Sequence, residues 1–362
     1  MRKLRFRILA LALAGVFALS LAACKKYEDE PVETEAPVIE TETETETEPV
    51  DLHPGMERSA LTGLWIDEDI AARRPIAVMI NNVPAALPQS NITSAQVVYE
   101  FPYEGGDTRL MPLYEAWDDF NALGSVRSAR FYTMYAAHEW DAILFHFGQP
   151  WFAQDFADNT PYIDNVNGMR AVGDTAYHRT THRSAPHNAY TSGEEIREAI
   201  EYMEYSMEWD PWADPPFRFT EDGEPADMTG GTSAVSVETG INGSHSYYEY
   251  NEEEGVYYRY QFDRPHVDEQ EPYGQVTTVN ILIQYVTHDY FQGSEYLLVD
   301  SVGSGDGYYI TGGKCIPITW SRDSLDTSTA YYTEDGERLL MTPGNTWITF
   351  VPNYRAEYTV IE

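Results

Sequence analysis

Ionisable side chains concentrate between residues 97 and 130, in sequence that otherwise follows apolar strand and helix patterns. The stretch carries Glu100, Glu104, Arg109, Arg127 and Arg130. Charged groups are rarely buried without a partner, so these residues either pair with one another or line a polar site. Both interpretations predict that they converge on one place in the fold.

Glu100 and Glu104 stand four residues apart at the end of a predicted strand. Two carboxylates in one site can divide the roles of acid and base, as they do in glycoside cleavage. They are therefore the candidate catalytic residues of one alternative function, a cell-wall hydrolase or transferase. The competing interpretation is an internal ion pair with the arginines that holds the fold together.

Arg127, Ser128 and Arg130 fall at the start of a helix predicted over residues 125–140. A helix N-terminus already carries free N–H groups and partial positive charge. Two guanidinium groups there are unfavourable unless an anion joins them. That anion is either an internal glutamate or the carboxylate or phosphate of a ligand, and in the second case Arg109 completes the binding set.

A long segment without clean periodicity follows, and loops of this length commonly cover or build a site. Its His178, His182 and His187 have a spacing that invites a zinc hypothesis. Arg179 and Arg183 lie between them and would repel a cation, so the loop fits an anionic ligand better. We predict neither a metal nor a cofactor.

Arg179, His187 and Asn188 of this loop join the candidate ligand-binding residues, together with His146. His146 occurs in the middle of an apolar strand pattern, DAILFHFG. A lone histidine in such a strand is more often a core group with internal partners. It would reach the charged cluster if its strand lay beside residues 108–113.

The elements that must position these residues predict an α+β fold. Apolar runs indicate strands at residues 74–81, 96–103 and 141–148, with residues 108–117 antiparallel to the second of them. We expect an N-terminal α/β domain with a mixed sheet over residues 60–208 and a boundary loop over residues 209–230. Alternating patterns then predict a β-rich C-terminal domain over residues 231–362.

The first 59 residues are predicted to form a targeting signal followed by a flexible tether. A basic start, an apolar run and the lipobox ending at Cys24 predict a lipoprotein signal peptide over residues 1–23. Palmitate-type acyl chains on Cys24 would anchor the protein to the extracytoplasmic face of the cell membrane. Residues 24–59, rich in Glu, Thr and Pro, predict a disordered acidic tether.

The chain has a formal net charge of −36, which argues against nucleic acid as a partner. Only Cys315 remains once Cys24 is lipidated, so no intramolecular disulfide is available. Cys315 lies in a strand-like run, GKCIPITW, and is expected to be a buried free thiol.

Several long motifs together resemble the YerB-like lipoprotein family of Gram-positive bacteria. In the N-terminal half they are RPIAVMINN, VVYEFPYEGGDTRL, GSVRSAR, DAILFHFG and HRSAPHNAYTS; in the C-terminal half they are YRYQFDRPHVDEQ, GKCIPITWSRDS and LMTPGNTWITFVP. The resemblance implies an α/β domain followed by a β-rich domain in a membrane-anchored, extracytoplasmic setting. It implies no established activity. A bulky Phe147 replaces the small residue usual after the strand and would narrow a pocket there.

The favoured hypothesis is a lipid-anchored protein that binds an anionic or cell-envelope-derived ligand through the Arg/Glu/His cluster. The membrane is then a partner through the lipid anchor, and the ligand is a cell-wall fragment or an anionic small molecule. Two alternatives stay open, namely the hydrolase or transferase and a scaffold that binds a protein partner through its tyrosine-rich C-terminal half.

Overall fold

The computed structural model describes residues 52–159, 163–270 and 274–362. The predicted signal peptide, the lipidation site Cys24 and most of the predicted tether lie outside these residues. Within them, no helix is both long and apolar enough to cross a membrane.

Strands and short helices alternate in the N-terminal part. The strands are β1 (Met56–Arg58), β2 (Trp65–Asp67), β3 (Ile76–Val78), β4 (Ile80–Asn82), β5 (Val97–Pro102), β6 (Thr108–Tyr114), β7 (Leu123–Gly124), β8 (Ile143–His146), β9 (Asn165–Asn167), β10 (His178–Arg179) and β11 (Ala189–Thr191). The α-helices are α1 (Glu68–Ala71), α2 (Phe131–His138), α3 (Trp151–Asn159), α4 (Gly173–Ala176) and α5 (Gly193–Met203). Short 3₁₀ helices occupy Pro84–Ala86, Ile92–Ser94 and Glu104–Gly106.

The C-terminal part consists of strands with two further 3₁₀ helices, Phe291–Gly293 and Asn353–Tyr358. Its strands are β12 (Thr232–Ser233), β13 (Ser236–Glu238), β14 (Tyr247–Asn251), β15 (Val256–Gln261), β16 (Arg264–Pro265), β17 (Thr277–Thr278), β18 (Asn280–Tyr290), β19 (Leu297–Asp300), β20 (Gly303–Thr311), β21 (Lys314–Arg322), β22 (Ala330–Thr333), β23 (Thr346–Pro352) and β24 (Val360–Ile361). These bounds confirm the predicted α+β class with a mixed sheet and a β-rich C-terminal part.

One mixed sheet runs through both parts of the chain in the order β12-β21-β20-β18-β23-β5-β6-β3-β8-β9, with β4, β19 and β22 paired beside it. β5 and β6 are antiparallel, as predicted from their short connection. The two parts meet where β23 pairs with β5 in parallel, from Thr346 opposite Val97 to Thr349 opposite Glu100. The predicted domains therefore share a sheet.

Both faces of β5 are covered, and all six of its residues are buried. Tyr99 and Phe101 pack into one apolar cluster, whereas Val98 packs into the other. A second sheet, ordered β16-β15-β14-β13-β24 with β17 beside β15, contributes Tyr248 and Tyr257 to that second cluster. Because side chains alternate along a strand, Glu100 shares the face of Val98 and lies beneath this second sheet.

The last residues of the predicted tether form a strand. The predicted tether extends to residue 59, but β1 pairs with β2 across Met56 to Arg58. The guanidinium of Arg58 also lies over the ring of Trp65, with 5.6 Å between its central carbon and the ring centroid. These contacts hold the chain to the folded part before residue 60.

Candidate functional site

An extended segment before α2, residues 125–130, carries three of the predicted ligand-binding residues. Its amides donate to carbonyl oxygens elsewhere in the fold, Arg127 to Met79 at 2.8 Å and Ala129 to Gly148 at 2.9 Å. The helix predicted over residues 125–140 is therefore wrong at its start. It begins at Phe131, because the preceding amides already have partners in neighbouring elements.

The ring of Tyr103, at the end of β5, receives two of the arginines. The guanidinium carbon of Arg109 lies 3.5 Å from the ring centroid and that of Arg130 lies 4.3 Å from it. Arg109 also donates to the Tyr103 hydroxyl, to the Ser128 carbonyl oxygen and, at 2.9 Å, to the Ser128 hydroxyl. All of these acceptors are neutral, so they leave the charge of Arg109 uncompensated.

Glu104 is the carboxylate of this cluster, and it is committed to Arg130. Arg130 donates from Nε to Oε1 at 2.8 Å and from Nη2 to Oε2 at 2.7 Å, a bidentate pair. Glu104 thus neutralises the charge of Arg130 and does not pair with the other arginines of the cluster.

Arg127 and Arg179 approach the same place from the extended segment and from β10. Arg127 donates to the Pro186 carbonyl oxygen at 3.3 Å, while its buried Nε has no hydrogen-bond partner among the described residues. Arg179 donates to the Asn188 side-chain oxygen at 2.9 Å and lies over the ring of Phe147 at 4.6 Å. Neither arginine makes an ion pair with a described carboxylate.

Neighbouring arginines help to lower the pKa values of Arg109 and Arg127. Burial, together with the charges of Arg130 and Arg127, lowers the pKa of Arg109 to about 10. The pKa of Arg127 is also lowered, first by burial and then by the charges of Arg130 and Arg179. Since arginine remains protonated at neutral pH even so, the cluster holds an excess of positive charge.

His187 completes this edge of the cluster. Its Nδ1 lies 2.7 Å from the side-chain nitrogen of Asn81, which donates to it. Partial burial and the charges of Arg127 and Arg183 lower the pKa of His187, so the ring is neutral at pH 7. A neutral imidazole that accepts at Nδ1 presents a donor at Nε2.

The other two histidines of the loop have separate acidic partners. His178 lies 2.8 Å from Glu195, and His182 lies 3.0 Å from Glu269. Across residues 52–159, 163–270 and 274–362, no three His, Cys, Asp or Glu side chains form a group that could hold a metal ion. The three histidines thus lie in three environments rather than around one ion.

We use the name arginine site for the predicted residues that the structure brings together: Arg109, Arg127, Ser128, Arg130 and Arg179, with Glu104, His187 and Asn188 at its edges. His146 is placed elsewhere. Its strand pairs with β3 and β9 instead of β6, and its ring bonds the Gly148 carbonyl at 2.9 Å and the Asn165 side chain at 3.0 Å. It is fully buried, and burial lowers its pKa.

Glu100 is fully buried and separate from the arginine site. One carboxylate oxygen accepts from Arg259 at 2.8 Å and from Ser246 at 2.9 Å, and the other accepts from Thr108 at 3.0 Å. Ser244 also donates to it. Because Glu100 and Glu104 have different arginine partners, the geometry gives no support to an acid and base pair made by these two carboxylates.

Two important residues escaped the sequence reasoning. Arg259 lies at an inward position of β15, whose residues alternate between buried and partly buried, and it is fully buried against Trp347. An arginine at an inward strand position was a usable signal for a buried ion pair. Tyr103 carried no comparable signal, because its role depends on two arginines that meet above one ring.

Comparisons with known proteins match the two parts of the chain separately. The model described as Protein of unknown function (DUF3048) N-terminal domain matches residues 61–206, and the corresponding C-terminal domain model matches residues 235–348. A Bacillus subtilis (strain 168) protein named "Putative lipoprotein YerB" is 29% identical over 300 residues, which is 83% of this chain and 87% of that protein. The crystal structure of YerB protein from Bacillus subtilis superposes with a TM-score of 0.72 at 26% identity and covers 84% of this chain and 99% of that one.

Proposed function

The chain belongs to this two-part family of unknown function, and from that premise we propose that it is a lipid-anchored protein that binds an anionic, cell-envelope-derived ligand at the arginine site. The setting is supported by the relative named as a lipoprotein. In this proposal acyl chains on Cys24, which lies outside the described residues, hold the protein at the extracytoplasmic face of the membrane.

The observation that carries the proposal is the unbalanced charge of the site. Arg109, Arg127 and Arg179 lie close enough to affect one another or Arg130, yet the described residues offer carboxylate pairing only to Arg130. Like charges held together in a partly desolvated place are unfavourable without a counter-charge. In a chain with a net charge of −36, this local excess of positive charge favours an anionic ligand.

The arrangement suits recognition of a carboxylate or a phosphate. Arg127 has a buried Nε–H group without an acceptor among the described residues, and Arg179 is exposed at the rim. Arg109 is held by Tyr103 and Ser128, so its charge is fixed in position before a ligand arrives. Preorganised guanidinium groups lose less side-chain freedom on binding, and this favours affinity.

The direct test is calorimetric titration of the mature chain with inorganic phosphate and with D-lactate. Arg127→Ala is expected to weaken binding of both anions at least about tenfold, a loss of about 1.4 kcal/mol. The matched control is Arg197→Ala on α5, because the Arg197 side chain is 56% exposed and its ion pair in the described part of the chain is with Asp118, at 3.5 Å. Wild-type binding no tighter than that of Arg127→Ala would reject the proposal.

A further inference from the structure

A group of aromatic rings lies beside the arginine site. Trp151 and Phe152 open α3, and Phe291 and Tyr296 belong to the connection between β18 and β19. Phe152 and Phe291 stack with 4.0 Å between their centroids and 8° between their planes, and Trp151 meets both rings edge-on at 5.6 Å and 6.2 Å. We name these four residues the aromatic platform.

The platform is continuous with the arginine site. Tyr296 packs against Phe152 with 5.3 Å between centroids, and the guanidinium of Arg130 lies 5.1 Å from the Tyr296 ring. The same connection is tied to the site through its backbone, since the Leu297 amide donates to Glu104 at 3.2 Å. A ligand held by the arginines would therefore lie within reach of the rings.

Within the platform Trp151 is exposed, whereas Phe152, Phe291 and Tyr296 are partly buried. The Trp151 residue is 74% accessible, although tryptophan is buried on average. Exposed glutamines flank it, Gln154 one helical turn after Trp151 and Gln292 directly after Phe291. The exposed Trp151 ring and the partly exposed rings beside it, bordered by these amide groups, offer apolar contact and hydrogen bonds at one surface.

We propose that the anionic ligand of the arginine site is an acidic oligosaccharide, with sugar rings packed on the aromatic platform and an acidic substituent bound by the arginines. This inference rests on the proposed function and names the class of its ligand. A pyranose ring has an apolar C–H face and a rim of hydroxyl groups, which match the platform and its glutamines. An acyl chain or an apolar peptide needs an enclosing groove to remove its surface from water, and an open platform supplies none.

The test compares three probes on the full mature chain by calorimetry. The first is a tetrasaccharide of alternating N-acetylglucosamine and N-acetylmuramic acid, which carries a carboxylate on every second ring. Chitotetraose has the same number of rings without carboxylates, and D-lactate is a carboxylate without rings. The acidic tetrasaccharide is expected to bind at least about tenfold more tightly than either of the others, because only it engages both surfaces.

Variants separate the two surfaces. Trp151→Ala is expected to weaken binding of the acidic tetrasaccharide about tenfold, which is the scale of one aromatic contact. Binding of D-lactate should be unchanged. Arg127→Ala is expected to weaken both. Tyr202→Ala on α5 is the control, since Tyr202 is 55% exposed and lies outside the platform. Unchanged circular dichroism shows that each variant is folded.

The outcomes distinguish the two proposals. If D-lactate binds through Arg127 but the tetrasaccharide binds no more tightly and Trp151→Ala has no effect, the saccharide inference is wrong and the proposed function survives. If none of the anions binds, both are wrong. Tighter binding of chitotetraose than of the acidic tetrasaccharide would overturn the inference as well, because the arginines would then add nothing.

Discussion

Two arginines of this protein show how surroundings decide the role of a charge. Arg259 is fully buried and meets Glu100 at 2.8 Å, so its charge is matched inside the fold. Arg127 is only partly buried, has other arginines as neighbours and has an Nε–H group without an acceptor in the part of the chain that the structure describes. The first arrangement serves the fold, and the second is the one that we assign to a ligand.

The Glu100–Arg259 pair gives a stability prediction. Glu100→Gln leaves a buried guanidinium without its counter-charge, which is expected to lower the free energy of unfolding by about 3–5 kcal/mol. Replacing both partners, Glu100→Gln with Arg259→Met, removes the unmatched charge and should recover part of that loss. Urea unfolding followed by tryptophan fluorescence measures both variants. Equal stability of Glu100→Gln and the wild type would contradict the assigned role.

Glu115 gives a prediction about pH. It is almost fully buried at the end of β6, and burial raises its pKa to about 7 although Ser59 donates to it at 2.7 Å. The folded state thus holds a proton that the unfolded state releases near its ordinary pKa of 4.5. Stability contributed by this proton is present at low pH and is lost as the pH rises from about 4.5 to about 7.

The corresponding variant is Glu115→Gln, which cannot ionise. Its melting temperature, measured by calorimetry from pH 5 to pH 8, is expected to fall less with rising pH than that of the wild type. At pH 8 the free energy of unfolding of Glu115→Gln should exceed that of the wild type by on the order of 2–3 kcal/mol. If the melting temperatures of the two proteins changed with pH in parallel, Glu115 would not be the group that causes the loss of stability.

Residue types were enough to single out the charged stretch, because clustered charge in apolar sequence has few explanations, and its role as a binding site stays a prediction. They could not assign partners. The sequence placed Glu100 and Glu104 in one cluster, whereas alternation along β5 turns Glu100 toward Arg259, a residue 159 positions away. The identity of such a partner depends on tertiary pairing, which local patterns do not contain.

At the scale of elements, the informative error is the prediction that residues 125–130 form the start of a helix. Alanines and the spacing of Phe131, Met134 and Tyr135 favour a helix from residue 125, and the helix exists only from Phe131. The extended part is fixed by backbone hydrogen bonds that Arg127 and Ala129 donate to the carbonyl oxygens of Met79 and Gly148, both of which are distant in sequence. Local helix propensity yields here to bonds that only the complete fold supplies.

Gly148 offers a test of this positioning. It has φ of +87°, and a Cβ atom added there would lie 3.3 Å from Met169 and 4.0 Å from Ser128. Gly148→Ala is expected to cost at least about 1 kcal/mol of stability and to weaken phosphate binding severalfold, because its carbonyl group positions Ala129.

The control is Gly223→Ala. Gly223 has a similar φ of +76°, but nothing lies within 4 Å of an added Cβ atom. This variant should show the backbone cost without the loss of phosphate binding. Equal phosphate affinity of Gly148→Ala and Gly223→Ala would show that the loop after β8 does not help to position the arginine site.

At the scale of the whole molecule, the parallel pairing of β5 with β23 makes the two parts interdependent. Composition correctly separated an α/β part from a β-rich part, because periodicity and proline-rich boundaries are local. It did not reveal the shared sheet, since parallel pairing across about 250 residues leaves no mark in either strand. The complete burial of β5 is explained only when both neighbouring strands, β6 and β23, are present.

Separating the parts should therefore prevent folding. A fragment of residues 52–230 leaves the edge of β5 unpaired and Glu100 without Arg259, so we expect it to aggregate or to lack dispersed amide resonances. Coexpression with residues 231–362 is expected to restore a folded complex that elutes as one species. A monomeric, cooperatively folded fragment would show that the shared sheet is dispensable.

The central claim is that Arg109 and Arg127 bind an anion from solution, and their own side chains report it most directly. In the chain labelled at arginine Nε, we predict that the Nε–H resonances of Arg127 and Arg109, assigned through Arg→Lys variants, shift saturably as D-lactate is added. The resonance of Arg259 should not move, because its charge is already matched by Glu100. Resonances of Arg127 and Arg109 that stay unchanged, or that drift without saturation like that of exposed Arg197, would contradict the account.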